Sequence, residues 1–167
     1  GKDGKPFKTR DGGVLRLEKL IEEIQESVLK RMEEGKDTGL SEEERKETAK
    51  VIALAALKYG DLSNQITKDY IFDLEKFTAF EGNTGPYILY TIVRIASILR
   101  KYAEANGESS KDTATWIANY GKNYAIHSED EPSLLALEKQ IIVFSDEMKD
   151  AWKELAPHKI CGYIYAL

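Results

Sequence analysis

Apolar residues recur at helical spacing through most of the chain, and the polar stretches between them carry recognisable start and stop signals. From Val14 to Glu34, Leu17, Leu20, Ile21, Ile24, Val28 and Met32 share one face, predicting an amphipathic helix. Gly35 to Leu40 is a break. Ser41 and Glu44 then form a capping box, opening a helix expected to run to about Tyr59. Its second half, Val51 to Leu57, is apolar all round and is expected to be buried on every side. Gly60 to Lys68 reads as a turn region, Tyr70 to Phe72 as a short extended segment, and Leu74 to Phe80 as one or two helical turns.

The longest amphipathic helix follows. Asn83 or Thr84 can cap it, Pro86 suits its first turn, and Tyr87, Leu89, Tyr90, Val93, Ile95, Ala96, Ile98, Leu99 and Tyr102 recur along it. Gly107 suits its left-handed end, before a polar loop over 107–112. Trp116, Ile117 and Tyr120 predict a helix over Thr113–Tyr124, weakened by Gly121 and Asn123. Ser128 and Glu131 repeat the capping-box pattern, with Pro132 just inside. Leu134, Leu135, Leu137, Ile141, Ile142 and Phe144 line the next helix. Ser145 is positioned to re-cap a further one, Asp146–Leu155, which Ala156-Pro157 breaks before a last helix over Lys159–Leu167. The pattern stops inside an apolar run without a cap, as expected of a piece of a longer protein. The predicted architecture is mainly α: about seven helical elements in two packed lobes.

Composition narrows the chemistry. The 167 residues are 42% hydrophobic and 32% charged, as in globular domains, and no apolar run nears the ~20 residues that span a bilayer. A single cysteine, Cys161, and two histidines, His127 and His158, leave no disulfide framework and no thiolate or imidazole metal cluster to expect. A reducing, cytoplasmic setting fits this usage. The net charge of −5 is unevenly spread. Residues 1–20 carry six bases against three acids (+3), and residues 128–155 carry eight acids against three bases (−5). A phosphate-binding end and an acidic helical exterior are both compatible with that split.

No nucleophile motif accompanies either histidine. The Gly-rich start could present Lys5, Lys8 and Arg10 to a polyphosphate, although a solvated terminus explains it on physics alone. Asp69 and Asp73 bracket an apolar run, and turn or cap roles suit them better than an acid pair. Gly82 and Gly85 lack the Gly-Lys-Ser/Thr ending of a phosphate loop. Tyr87, Tyr90, Tyr163 and Tyr165 read as core or half-buried residues, with stacking on unpaired bases the sharper alternative.

Several blocks, in order, carry a resemblance. Gly4-Lys5-Pro6-Phe7-Lys8-Thr9-Arg10, Ala56 to Ser63, Asp69 to Asp73, Phe80 to Arg94, and Pro157-His158 with Tyr163 resemble bacterial arginyl-tRNA synthetases of class I. Residues 107–130 match nothing in that family's pattern. The resemblance implies ligation of arginine to tRNA(Arg) with ATP and Mg2+ through an arginyl-adenylate, by a parent enzyme that is a monomer and needs neither DNA nor membrane. The first block resembles the family's replacement for the KMSKS loop. It implies Lys8 and Arg10 as catalytic cations on the departing pyrophosphate and Lys5, Lys8 and Thr9 as ATP-binding residues. Residues 1–88 would then end the catalytic region, with helices that contact the acceptor stem. Residues 89–167 would belong to a DALR-type anticodon-binding domain.

Asn83, Arg94, Pro157, His158 and Tyr163 are the implied tRNA contacts. Asn83, Tyr87 and Arg94 are equally candidates for packing the junction, the preferred role for Tyr87. The nucleotide-binding sheet and its His-Ile-Gly-His-type motif are missing from the sequence. The isolated polypeptide is therefore expected not to activate arginine, and to need neither ATP nor metal by itself. The competing possibility is a helical interaction module that works alone and has no tRNA role.

Overall fold

The computed structural model describes residues 16–34, 39–105 and 132–167. It contains seven helices among them: α1 (Leu17–Glu34), α2 (Glu42–Leu62), α3 (Leu74–Phe77), α4 (Gly85–Ala105), α5 (Pro132–Ile142), α6 (Phe144–Lys153) and α7 (Pro157–Ala166). The expectations for Lys5, Lys8, Thr9, Arg10, Gly107, the Thr113–Tyr124 helix and the Ser128 capping box lie outside the described residues.

The α1–α2 pair forms the first lobe. Ile24 and Val28 on α1 are fully buried against Ala49, Ala53 and Ala56 on α2. These alanines recur every three or four residues, so their small side chains let the α1 backbone approach closely along one stripe. Leu20, Leu29, Met32, Ile52, Leu57, Phe72 and Leu74 pack around that seam. Val51, by contrast, is 48% exposed, so the apolar run of α2 is not buried on every side as expected. The reason is geometric: α1, α3, α4 and α7 cover α2 on limited arcs, leaving Val51 towards solvent.

The Ser41 capping box forms as expected. The Glu44 amide donates to the Ser41 hydroxyl at 3.2 Å, and the Ser41 amide donates to the Glu44 carboxylate at 2.8 Å. That donor holds the Glu44 carboxyl below its ordinary value. Tyr70 to Phe72 is irregular extended chain rather than a strand, held by aromatic contacts instead of a ladder. Phe72 meets Phe77 edge-on at 4.8 Å, and the Tyr70 hydroxyl donates to Asp61 at 2.7 Å. Asp73 caps α3 by accepting from the Glu75 amide at 3.1 Å, the cap role favoured for it.

The second lobe is built on α4, a 21-residue rod roughly 30 Å long. Its first turn lies against α2, and α7 reaches α2 near the same place. Gly85 is required there, because a Cβ would collide with the Ala55 carbonyl of α2.

Helix α2 runs on to Leu62, past the expected end near Tyr59 and into the expected turn region, and the starts of α6 and α7 also differ from expectation. Ser145 does not cap α6. Val143 stays in the helical region at φ −76° and ψ −5°, and its carbonyl accepts from the Asp146 and Glu147 amides, both at 3.0 Å. The first-turn donors are thereby used before Ser145 can serve. Pro157 begins α7 instead of merely ending α6, since its fixed φ and missing N–H suit a first helical position. Between them, α6 closes with the Ala156 amide donating to the Ala151 carbonyl at 2.8 Å and the Leu155 amide to Trp152 at 3.2 Å. That Schellman geometry places Leu155 at φ 51°, where glycine is usual.

Candidate interface at the junction of the two lobes

The described candidates divide between the junction and the second lobe. Thr84, not Asn83, caps α4: its hydroxyl accepts from the Tyr87 amide at 3.3 Å and donates to the Ala79 carbonyl at 2.6 Å. Asn83 is thereby freed to face the end of α2, where its Oδ1 lies 2.5 Å from the Tyr59 hydroxyl. The same hydroxyl is 2.9 Å from the Cys161 carbonyl on α7. Burial, with smaller contributions from Cys161 and Tyr165, pushes the Tyr59 hydroxyl up to about 12. Burial likewise raises the Cys161 thiol above its ordinary value.

Tyr87 and Tyr165 meet edge-on across the junction, with centroids 6.0 Å apart. Tyr87 thus packs, in keeping with the preferred reading. Tyr163 also faces inward: its hydroxyl donates to the Gln140 carbonyl at 2.9 Å, and its ring lies 5.7 Å from that of Phe144. Gln140 is in the last turn of α5, where carbonyls lack helical partners, so Tyr163 completes that helix end.

Three other candidates differ in what they offer. Arg94 is exposed and its guanidinium carbon lies over the Tyr90 ring, 5.8 Å from the centroid, a cation on an aromatic face at the surface. Pro157 and His158 open α7 and are half-buried. The His158 Nδ1 is buried without a hydrogen-bond partner among the described residues. The structure therefore places Asn83 and Tyr87 at the junction, Arg94 on the exposed surface of α4, and Pro157 and His158 in the first turn of α7. Among the described residues no group of three His, Cys, Asp or Glu side chains could hold a metal ion, and no helix is long and apolar enough to cross a membrane.

Sequence reasoning did not single out Tyr59 or Cys161. Tyr59 follows an apolar run and reads as its continuation, and Cys161 acts through a backbone carbonyl that any residue would supply. Nothing in the local pattern signals a pairing 102 positions apart.

The model for the catalytic domain of class I tRNA synthetases (R) matches residues 1–74, and the DALR anticodon-binding domain model matches residues 88–167. An arginine–tRNA ligase of Agathobacter rectalis is 52% identical over the whole chain, which covers 27% of that protein. The corresponding ligases of Alkaliphilus oremlandii and Francisella tularensis are 49% and 41% identical, again over the whole chain and 26% of each relative. The chain thus spans about a quarter of the length of the curated relatives it matches. The Thermus thermophilus arginyl-tRNA synthetase shares the fold, with a TM-score of 0.71 and 24% identity over 93% of this chain and 23% of that one. None of these relatives is a stand-alone helical module.

Proposed function

Because this chain belongs to the class I arginyl-tRNA synthetases, spanning the end of the catalytic domain and the DALR anticodon-binding domain, we propose that it serves as that section of an arginine–tRNA ligase. The observation that carries the reading is the order of two different domain matches along a chain that relatives follow from end to end. The reaction would join arginine to tRNA(Arg) through an arginyl-adenylate formed from ATP.

Within that reaction residues 1–88 supply the pyrophosphate side and residues 89–167 the anticodon side. The division falls in the first turns of α4, so one continuous helix joins the two parts. Lys8 and Arg10 stabilise charge developing on the leaving pyrophosphate, and Lys5, Lys8 and Thr9 hold ATP. Magnesium would arrive on the ATP phosphates.

On the RNA side the candidates take unequal roles. Arg94, exposed and lying over the Tyr90 ring, is suited to a backbone phosphate. Pro157 and His158, at the start of α7, form an edge against which an unpaired base can stack. Asn83 and Tyr163 act indirectly, by fixing the junction and the α5–α7 contact, because their polar groups are already engaged within the protein. A filter-binding titration of this chain with tRNA(Arg) tests the reading. Binding that weakens steeply with added salt, and weakens further in Arg94→Ala, is expected. No binding, or binding indifferent to salt, contradicts a tRNA role.

A further inference from the structure

Three separate parts of the chain converge on one oxygen atom. Tyr59 lies in the stretch matched by the catalytic-domain model, Cys161 in the stretch matched by the anticodon-binding model, and Asn83 in the interval 75–87 between the two matches. The Tyr59 hydroxyl sits 2.5 Å from the Asn83 side-chain amide and 2.9 Å from the Cys161 carbonyl. A phenol has one proton to give and lone pairs to receive with. That one proton is shared between two acceptors, the Asn83 Oδ1 and the Cys161 carbonyl, so a single hydroxyl holds both segments.

The surroundings leave this node little slack. Gly85 and Pro86 are buried beside it, and Gly85 lies so close to the Ala55 carbonyl that even a methyl group would not fit. The Tyr87–Tyr165 edge contact lies between α4 and α7. Apolar contacts of this kind resist separation but tolerate sliding, because dispersion and burial are not directional. A hydrogen bond from a rigid ring to a helix carbonyl is directional, and it fixes where α7 sits along α2.

We propose that Tyr59 is a positioning residue that sets the anticodon-binding helices against the catalytic end, so that engagement of the tRNA at α7 aligns its far end for charging. The inference rests on the arginine–tRNA ligase reading above. It assigns Tyr59 no contact with substrate. Its oxygen acts through Cys161 and Asn83, and losing it leaves both lobes folded but their register loose.

The test uses the full-length gene product carrying this chain, with Tyr59→Phe removing one oxygen and Asn83→Ala removing the second partner. Charging is measured with tRNA(Arg) and with a tRNA altered only in its anticodon. In Tyr59→Phe the kcat for the cognate tRNA is expected to fall about five-fold, the weight of one neutral hydrogen bond, with KM for arginine and ATP unchanged. The preference for the cognate anticodon should narrow by a similar factor, and Asn83→Ala should narrow it less. Amide exchange in α7, followed by mass spectrometry, should quicken in Tyr59→Phe. An unaltered anticodon preference in both variants overturns the proposal, because a merely stabilising bond would scale both tRNAs together. Unaltered α7 exchange also overturns it, and that readout stands even if the wild-type protein charges no tRNA, an outcome that would instead defeat the ligase reading.

Discussion

The Tyr59 hydroxyl lies 2.9 Å from the Cys161 carbonyl, joining the C-terminal turns of α2 to the middle of α7 across 102 positions of sequence. Its ionisation makes that contact sensitive to alkali. Burial first, and then Cys161 and Tyr165, raise the hydroxyl to about 12 from an ordinary 10.0. Tyr70 is raised to about 12 by burial and its bond to Asp61. For an acid with a raised folded value, the stabilisation is fully present below the unfolded value and is lost as pH climbs through the folded one. Stability should therefore decline between pH 10 and about 12. Denaturant unfolding across that range should show a shallower decline for Tyr59→Phe than for the wild type. Identical slopes would mean that Tyr59 does not keep its proton in the fold.

Gly85 tests the close approach of α4 to α2. In Gly85→Ala the new methyl group meets the Ala55 carbonyl, which is backbone and cannot rotate aside. Overpacking of this kind costs about 1–3 kcal/mol, and the site favours the upper end. Gly162→Ala is the control: it also lies in a helix, yet nothing stands within 4 Å of the added atom. That substitution should stabilise by roughly 0.5–1 kcal/mol through helix propensity. Thermal melts of the two variants moving in the same direction would contradict the packing described for α4.

Leu155 stores strain at the end of α6. Its φ of 51° costs an L-residue on the order of 1 kcal/mol, and the side chain recovers little because it is 72% exposed. Leu155→Gly should hold or raise the melting temperature despite removing a large apolar side chain. A loss of 2 kcal/mol or more by chemical denaturation (roughly what a buried leucine contributes) would show that Leu155 packs against something.

Much of this architecture was legible locally. The Ser41–Glu44 box, the Asp73 cap and the place of Pro86 in the first turn of α4 are decided by residues within four positions of one another, where capping rules apply. The readings that missed were settled from farther away. Whether Asn83 or Thr84 capped α4 could not be chosen from the sequence, because Tyr59 and the Ala79 carbonyl decide it. Ser145 has the right chemistry for a cap but lost the amides to Val143, whose backbone kept turning. Val51 reads as core because its neighbours in sequence are apolar, and it is exposed because no helix among the described residues crosses that side of α2.

The candidate site shows the same division. Tyr163 carried an RNA-stacking reading from its neighbourhood of Pro157 and His158. Its hydroxyl meets the Gln140 carbonyl, a partner 23 positions away on α5, which the local pattern does not signal. Arg94 and the α7 entrance are the groups proposed above for RNA contact. The proposed ATP roles of Lys5, Lys8, Thr9 and Arg10 rest on the resemblance of the N-terminal block alone.

The most direct measurement is arginine charging of tRNA(Arg) by the full-length gene product, with wild type compared with Lys8→Ala and Arg10→Ala. The wild type should form arginyl-tRNA only when ATP and arginine are both supplied. Each variant should lose about ten-fold or more in kcat with tRNA binding intact, as expected when a cation acts on developing charge. A wild-type protein that leaves tRNA(Arg) uncharged, or variants that charge it at the wild-type rate, would contradict the account.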